Sequence, residues 1–119
     1  MTQIAGPFRL AATGTSVSLE TARITGNIVA VGIAVHGFDG DFTIKTKGVD
    51  NVVPQQTILI KTGINADGWY YTRPAVHDTA GAEIADTYDA NGVPVDDQIS
   101  IEIANTANED IFDVSFMVD

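Results

Sequence analysis

The densest group of chemically capable side chains lies in NADGWYYTRPAVHDTAG, residues 65–81. It sets Trp69, Tyr70 and Tyr71 in a row, followed by Arg73, His77 and Asp78, and it holds the only Trp of the chain. Three kinds of chemistry could use such a set. Adjacent His77 and Asp78 could activate a nucleophile, but that needs a Ser or Thr on an exposed, strained turn, and no G-x-S-x-G elbow occurs. His36 and His77, the only imidazoles, could ligate a metal. Zinc sites are usually anchored by His-x-x-x-His or Cys pairs, however, and the chain has neither. Both His are therefore expected to be structural or surface residues. The third use is binding: Trp, Tyr and Arg are the types enriched at the energetic centre of interfaces, and exposed rings also stack on sugars.

On a strand, Trp69 and Tyr71 share one face and Tyr70 takes the other. A plain structural role fits these residues equally well. The strand would bridge two packed layers, contributing large apolar area and giving each polar tip one hydrogen-bond partner. Arg73 would then fix its loop by pairing with Asp78, Glu83 or Asp86; otherwise it would grip a partner carboxylate in a fork. Weighed together, the stretch reads as a structural strand and corner. The acidic pairs Asp39/Asp41, Asp86/Asp89 and Asp96/Asp97 could each offer two oxygens to calcium, but no EF-hand pattern surrounds them, and turns favour Asp in any case. A carboxylate pair for glycoside hydrolysis lacks an aromatic-lined cleft signature. No catalytic residue, cofactor or metal is expected, and the chain reads as a non-enzyme.

Charge narrows the partners. The net charge is −10. Residues 1–59 balance four acids with four bases, whereas residues 60–119 set twelve acids against Lys61 and Arg73 alone. Nucleic acids and anionic membranes are bound through Lys and Arg, so neither is an expected partner. Cysteine is absent, which excludes disulfides and thiolate chemistry and fits synthesis in a reducing compartment. The opening MTQIAGPFRL lacks the basic-then-apolar pattern of a secretory leader, and no apolar run approaches the length of a membrane helix.

The elements that must position these residues read as strands. SVSLET, NIVAVGIAV, FTIKTK, QISIEI and DIFDVSFMVD alternate apolar and polar or large and small residues, and QTILIKT is a short apolar run. In NIVAVGIAV, plain alternation puts Val29, Val31, Ile33 and Val35 on one face and Ile28, Ala30, Gly32 and Ala34 on the other. A strand apolar on both faces should be central, and its small face invites close packing. Asp39–Gly40 in FDGDF carries the Asp-Gly pair of a tight hairpin, and Asp67–Gly68 and Asn91–Gly92 repeat the turn signal. The last two strands, joined by NTANED, are expected to close the chain as an antiparallel hairpin. AGAEIADTYDA has room for one helical turn, and residues 81–97 suggest a long acidic excursion. The expected fold is all-β, an antiparallel β-sandwich of jelly-roll-like form. Residues 1–13 are set apart as an N-terminal segment available for partner contacts, and residues 14–119 form the single domain.

The second half resembles a family. The segment TGINADGWYYTRPAVHDTAGAEI, with Asp67, Tyr70, Tyr71, Arg73, Pro74, Asp78 and Gly81, and the ending DQISIEIANTANEDIFDVSFMVD are similar to small all-β proteins encoded among the head genes of tailed bacteriophages. The resemblance covers residues 61–119 and lies in strand and turn residues. It implies a virion structural protein, a capsid decoration or cement protein that clusters as a homotrimer on the outer shell and stiffens it. Its partner would be the major capsid protein, and it would be made in the bacterial cytoplasm. Ile4, Phe8, Trp69, Tyr70, Tyr71 and Arg73 are the candidate partner contacts. Two alternatives stand beside it: a carbohydrate-binding module with Trp69, Tyr70 and Tyr71 as its platform, and a tail or fibre component.

Overall fold

The computed structural model describes residues 2–48, 55–72, 75–77, 80, 82–88 and 92–119; for 75–77 and most of 83–88 this is the backbone alone. The described residues form strands and turns, with no helix. The strands are β1 (Gln3–Ala11), β2 (Ser16–Glu20), β3 (Ile24–Ala34), β4 (Gly40–Thr46), β5 (Thr57–Ile64), β6 (Gly68–Tyr71), β7 (Ala75–His77), β8 (Glu83–Tyr88), β9 (Val93–Asp97), β10 (Ile99–Ala104) and β11 (Ile111–Val118). Arg73, Pro74 and Asp78 lie outside the described residues.

Two antiparallel sheets pack face to face. The first runs β1-β11-β3-β6, with β9 lying beyond β6 along the same edge of β3; the second runs β2-β10-β4-β5. A separate pair, β7 and β8, stands apart. The pairing is nested: β1, β2, β3 and β4 join β11, β10, β6 and β5 in turn. One core fills the space between the sheets. Leu10, Ile28, Val31, Phe112 and Phe116 enter it from the first sheet; Phe42, Ile44, Ile99, Ile101 and Ile103 enter from the second. Phe42 meets Phe112 edge-on across the gap, with ring centroids 5.6 Å apart, an arrangement favoured by the ring quadrupoles. The alternation in QISIEI and DIFDVSFMVD thus reflects burial of one face of each strand in a shared core.

That shared core overturns the expected terminal hairpin. β10 and β11 lie in opposite sheets, and residues 105–110 carry the chain between them. Both strands must point their apolar faces at the same interior, so they face each other instead of pairing. Positive φ at Asn105 and Glu109 bends the corner, and the Asp110 carboxylate accepts from the Ala107 N–H at 2.8 Å. Asp39–Gly40 is not a hairpin turn either, since β3 and β4 also lie in different sheets. The bend comes earlier, at His36 and Gly37, both with positive φ. Gly40 begins β4 and is buried, and a Cβ there would overlap the Ile103 side chain. Its glycine serves close approach, not turn geometry.

Two bulges re-phase the strands. Opposite Met117 and Val118 stand Ala30 and Ile28, so Val29 is the extra residue and Ile28, not Val29, joins the buried face. In β1 an extra residue between Ala5 and Phe8 lets Ala5, Phe8 and Leu10 all face inward. Plain alternation would have put Ile4 and Phe8 on one face; they lie on opposite ones. Residues 3–11, set apart by sequence, form an edge strand paired with β11. The segment with room for a helical turn forms β8, and the acidic excursion 81–97 contains β8 and β9, with Val93 and Val95 buried.

Candidate docking face and groove

Register places the outward residues of the first sheet in rows. Ile4, Met117, Ala30 and Tyr71 make one row, each paired with the next across neighbouring strands. Ser115, Gly32 and Trp69 make the next, with Pro7 from β1 completing it. Arg9, Asp113 and Ala34 make the third. The small face of β3 thus runs down the middle, flanked by larger apolar and aromatic side chains. Trp69 and Tyr71 share this outer face and stand 44% and 62% exposed, and Ile4 is 54% exposed.

Gly32 sets the pose of Trp69. The indole atoms Cη2, Cζ3 and Cε3 lie 2.9, 2.9 and 3.1 Å from where a Cβ on Gly32 would stand. Near-equal distances to three atoms of the six-membered ring mean that this ring lies flat over the glycine, one face on the sheet and the other toward solvent. Beside it opens a groove of about 520 Å³ with Trp69 and Pro7 as walls. Ala34 and Ser115 lie on its floor, and Asp67 and Asp113 close one end. A mostly apolar concavity with a few convergent polar groups is the usual form of a recognition site.

The two carboxylates differ. Arg9 grips Asp113 in a fork, Nε to Oδ1 and Nη2 to Oδ2, both at 3.0 Å, and His36 Nε2 lies 2.8 Å from Oδ2. The Arg9 hydrogen bonds, reinforced by His36, hold the Asp113 carboxyl at about 2, below its ordinary 3.8, against the opposing cost of burial. The Arg9 guanidinium is raised in turn. Asp67 accepts the Val35 N–H at 2.8 Å through Oδ1, tying the β5–β6 corner to the end of β3. Among the described residues Asp67 has no basic partner.

The candidate contacts therefore separate. Ile4, Trp69 and Tyr71 are brought onto one face. Phe8 turns inward against Phe116, with centroids 6.0 Å apart. Tyr70 faces the core, its hydroxyl donating to the Ala66 carbonyl at 3.3 Å, and Lys61 lies 6.0 Å from its ring centroid. Arg73 lies outside the described residues, as does the side chain of His77. Of the described carboxylates read as calcium candidates, Asp41, Asp96 and Asp97 have structural work. Asp41 accepts from the Gly63 N–H and the Asn105 amide. Asp96 accepts from Arg23 and Thr25, which hold it at about 2. Asp97 accepts the Gly48 and Gln98 N–H groups. Among the described residues no three His, Cys, Asp or Glu are grouped to hold a metal, and no helix is long and apolar enough to cross a membrane.

Sequence reasoning missed Arg9, Asp113, Pro7 and Ser115. Arg9 and Asp113 are 104 positions apart, and only the β1–β11 pairing joins them. Compared with known proteins, the chain matches no family model, no curated protein and no solved structure.

Proposed function

We propose that this chain is a non-enzymatic virion structural protein, a capsid decoration or cement protein that docks on the major capsid protein through the outer face of its first sheet. One observation carries the reading. On a molecule of net charge −10, the three rows across β1, β11, β3 and β6 carry Arg9 and Asp113 as their charged pair, with His36 and Asp67 at one end, and present Trp69, Tyr71, Ile4 and Met117. Charge depletion with aromatic, Met and Arg enrichment is the composition of an interface centre, and exposed apolar patches mark interaction sites. The nested strand pairing supports the jelly-roll form of the sandwich. The likeness of residues 61–119 to head-gene proteins of tailed phages supplies the virion context.

Face size favours clustering. Four strands about 4.8 Å apart, with three rows about 7 Å apart, give a face of roughly 300–400 Å². A stable pairwise interface buries about 800 Å² per partner. One copy therefore binds weakly, and a trimer on a repetitive shell gains by avidity. The test is light scattering on the purified chain, followed by co-sedimentation with assembled shells that lack it. Three times the 12.6 kDa chain mass and saturable binding are expected. A monomer at tens of micromolar that leaves the shells bare would refute the proposal.

A further inference from the structure

We infer that the groove beside Trp69 receives an arginine side chain from the protein on which this face docks; the inference rests on the docking reading. The groove matches that side chain part by part. Its walls, Trp69 and Pro7, are apolar and suit a methylene stem. Two carboxylates close the end. Asp113 is matched internally by Arg9 and His36. Asp67 is not: Oδ1 takes the Val35 N–H, and Oδ2 has no partner among the described residues. An incoming guanidinium can pair with this exposed carboxylate.

Charge also decides among occupants. The net charge of −10 attracts cations over a distance, which favours a basic side chain over an acidic or neutral one. A neutral sugar could stack on the same ring but brings no cation to Asp67. Arginine is favoured over lysine because its planar N–H fork can pair with a carboxylate through two hydrogen bonds.

Trp69 is the only tryptophan, so its emission reports the groove directly. The full chain is titrated at low salt with the blocked tripeptide Gly-Arg-Gly, with the same peptide carrying neutral citrulline, and with methyl glucoside. The arginine peptide is expected to shift Trp69 emission and saturate on the order of 1 mM, as suits so small a ligand. Citrulline should bind about tenfold more weakly. Asp67→Asn, which keeps an oxygen for the Val35 N–H, should weaken the arginine peptide by a similar factor without lowering the melting temperature. Equal binding of arginine and citrulline, or an emission change with methyl glucoside alone, overturns the inference. So does silence of all three probes. If the peptides fail while shell binding still requires Trp69 and Tyr71, the groove assignment falls and the docking face stands.

Discussion

Gly32 and Ser100 hold matching places, each outward on an inner strand of its sheet. Their neighbours differ completely. Gly32 lies between Ser115 and Trp69, with Ala30 and Ala34 along its own strand. Ser100 lies between Glu20 and Lys45, with Glu102 and Thr43 in the next row. The second sheet shows water mainly Ser, Thr and charged side chains, with Ala104 and the exposed Ile60 at its edge as apolar exceptions. The first sheet shows small residues and flat rings. Both bury their inner faces in one core, so packing does not explain the difference. A solvated face needs no flat tryptophan on a glycine, whereas a docking face gains from a rigid, pre-set ring.

Paired substitutions break or sharpen this contrast. The largest effect is expected on shell binding. Trp69→Ala and Tyr71→Ala should each weaken it by roughly 30-fold or more, about 2 kcal/mol. Thr43→Ala and Glu102→Ala on the other face should stay within about twofold. Equal losses from both faces in co-sedimentation would erase the distinction.

Next comes stability. Gly32→Val forces the Trp69 ring off the sheet and should cost about 1–3 kcal/mol in chemical denaturation, with a change in Trp69 emission. Ser100→Val, at a half-buried outward position well suited to a strand, should change stability by no more than about 0.5 kcal/mol.

Acid sharpens the contrast further. Asp113 titrates at about 2 in the fold, below its ordinary 3.8, so the unfolded chain takes up this proton first. Its contribution is complete above about pH 4 and is lost as pH falls toward 2. Because Arg9 is largely exposed, the contribution is about 1 kcal/mol. Asp113→Asn should remove that stability at pH 7 and flatten this part of the acid limb. The smallest effect belongs to the other face. Glu20 and Lys47 pair at 3.0 Å with both side chains about half exposed, and Glu20→Gln should cost less than about 0.5 kcal/mol.

Much of the fold was legible because alternation is local. The strands in SVSLET, NIVAVGIAV, FTIKTK, QISIEI and DIFDVSFMVD form, and Trp69 and Tyr71 share a face opposite Tyr70. What the pattern hid was non-local. Asp39–Gly40 and the turn before β11 looked like hairpins because turn chemistry does not reveal whether a chain doubles back or crosses to a second sheet. The bulge at Val29 shifts phase by one residue with no side-chain type to announce it, whereas the one between Ala5 and Phe8 falls on Gly6–Pro7, residue types that mark bulges and that alternation alone does not read. The groove was less legible still. Trp69 stood out by its rarity, but its floor and walls come from β1, β3 and β11, joined only by pairing across most of the chain.

The most direct measurement uses the absence of cysteine from the chain. Ser115→Cys places one thiol in the groove, and Ser18→Cys places one on the outer face of the second sheet. Maleimide labelling of each is timed for the free protein and for the protein bound to shells. Docking through the first sheet predicts at least a tenfold slowing at position 115 and an unchanged rate at position 18. Slowing at position 18 alone, or unchanged rates at both while the protein is bound, would contradict it.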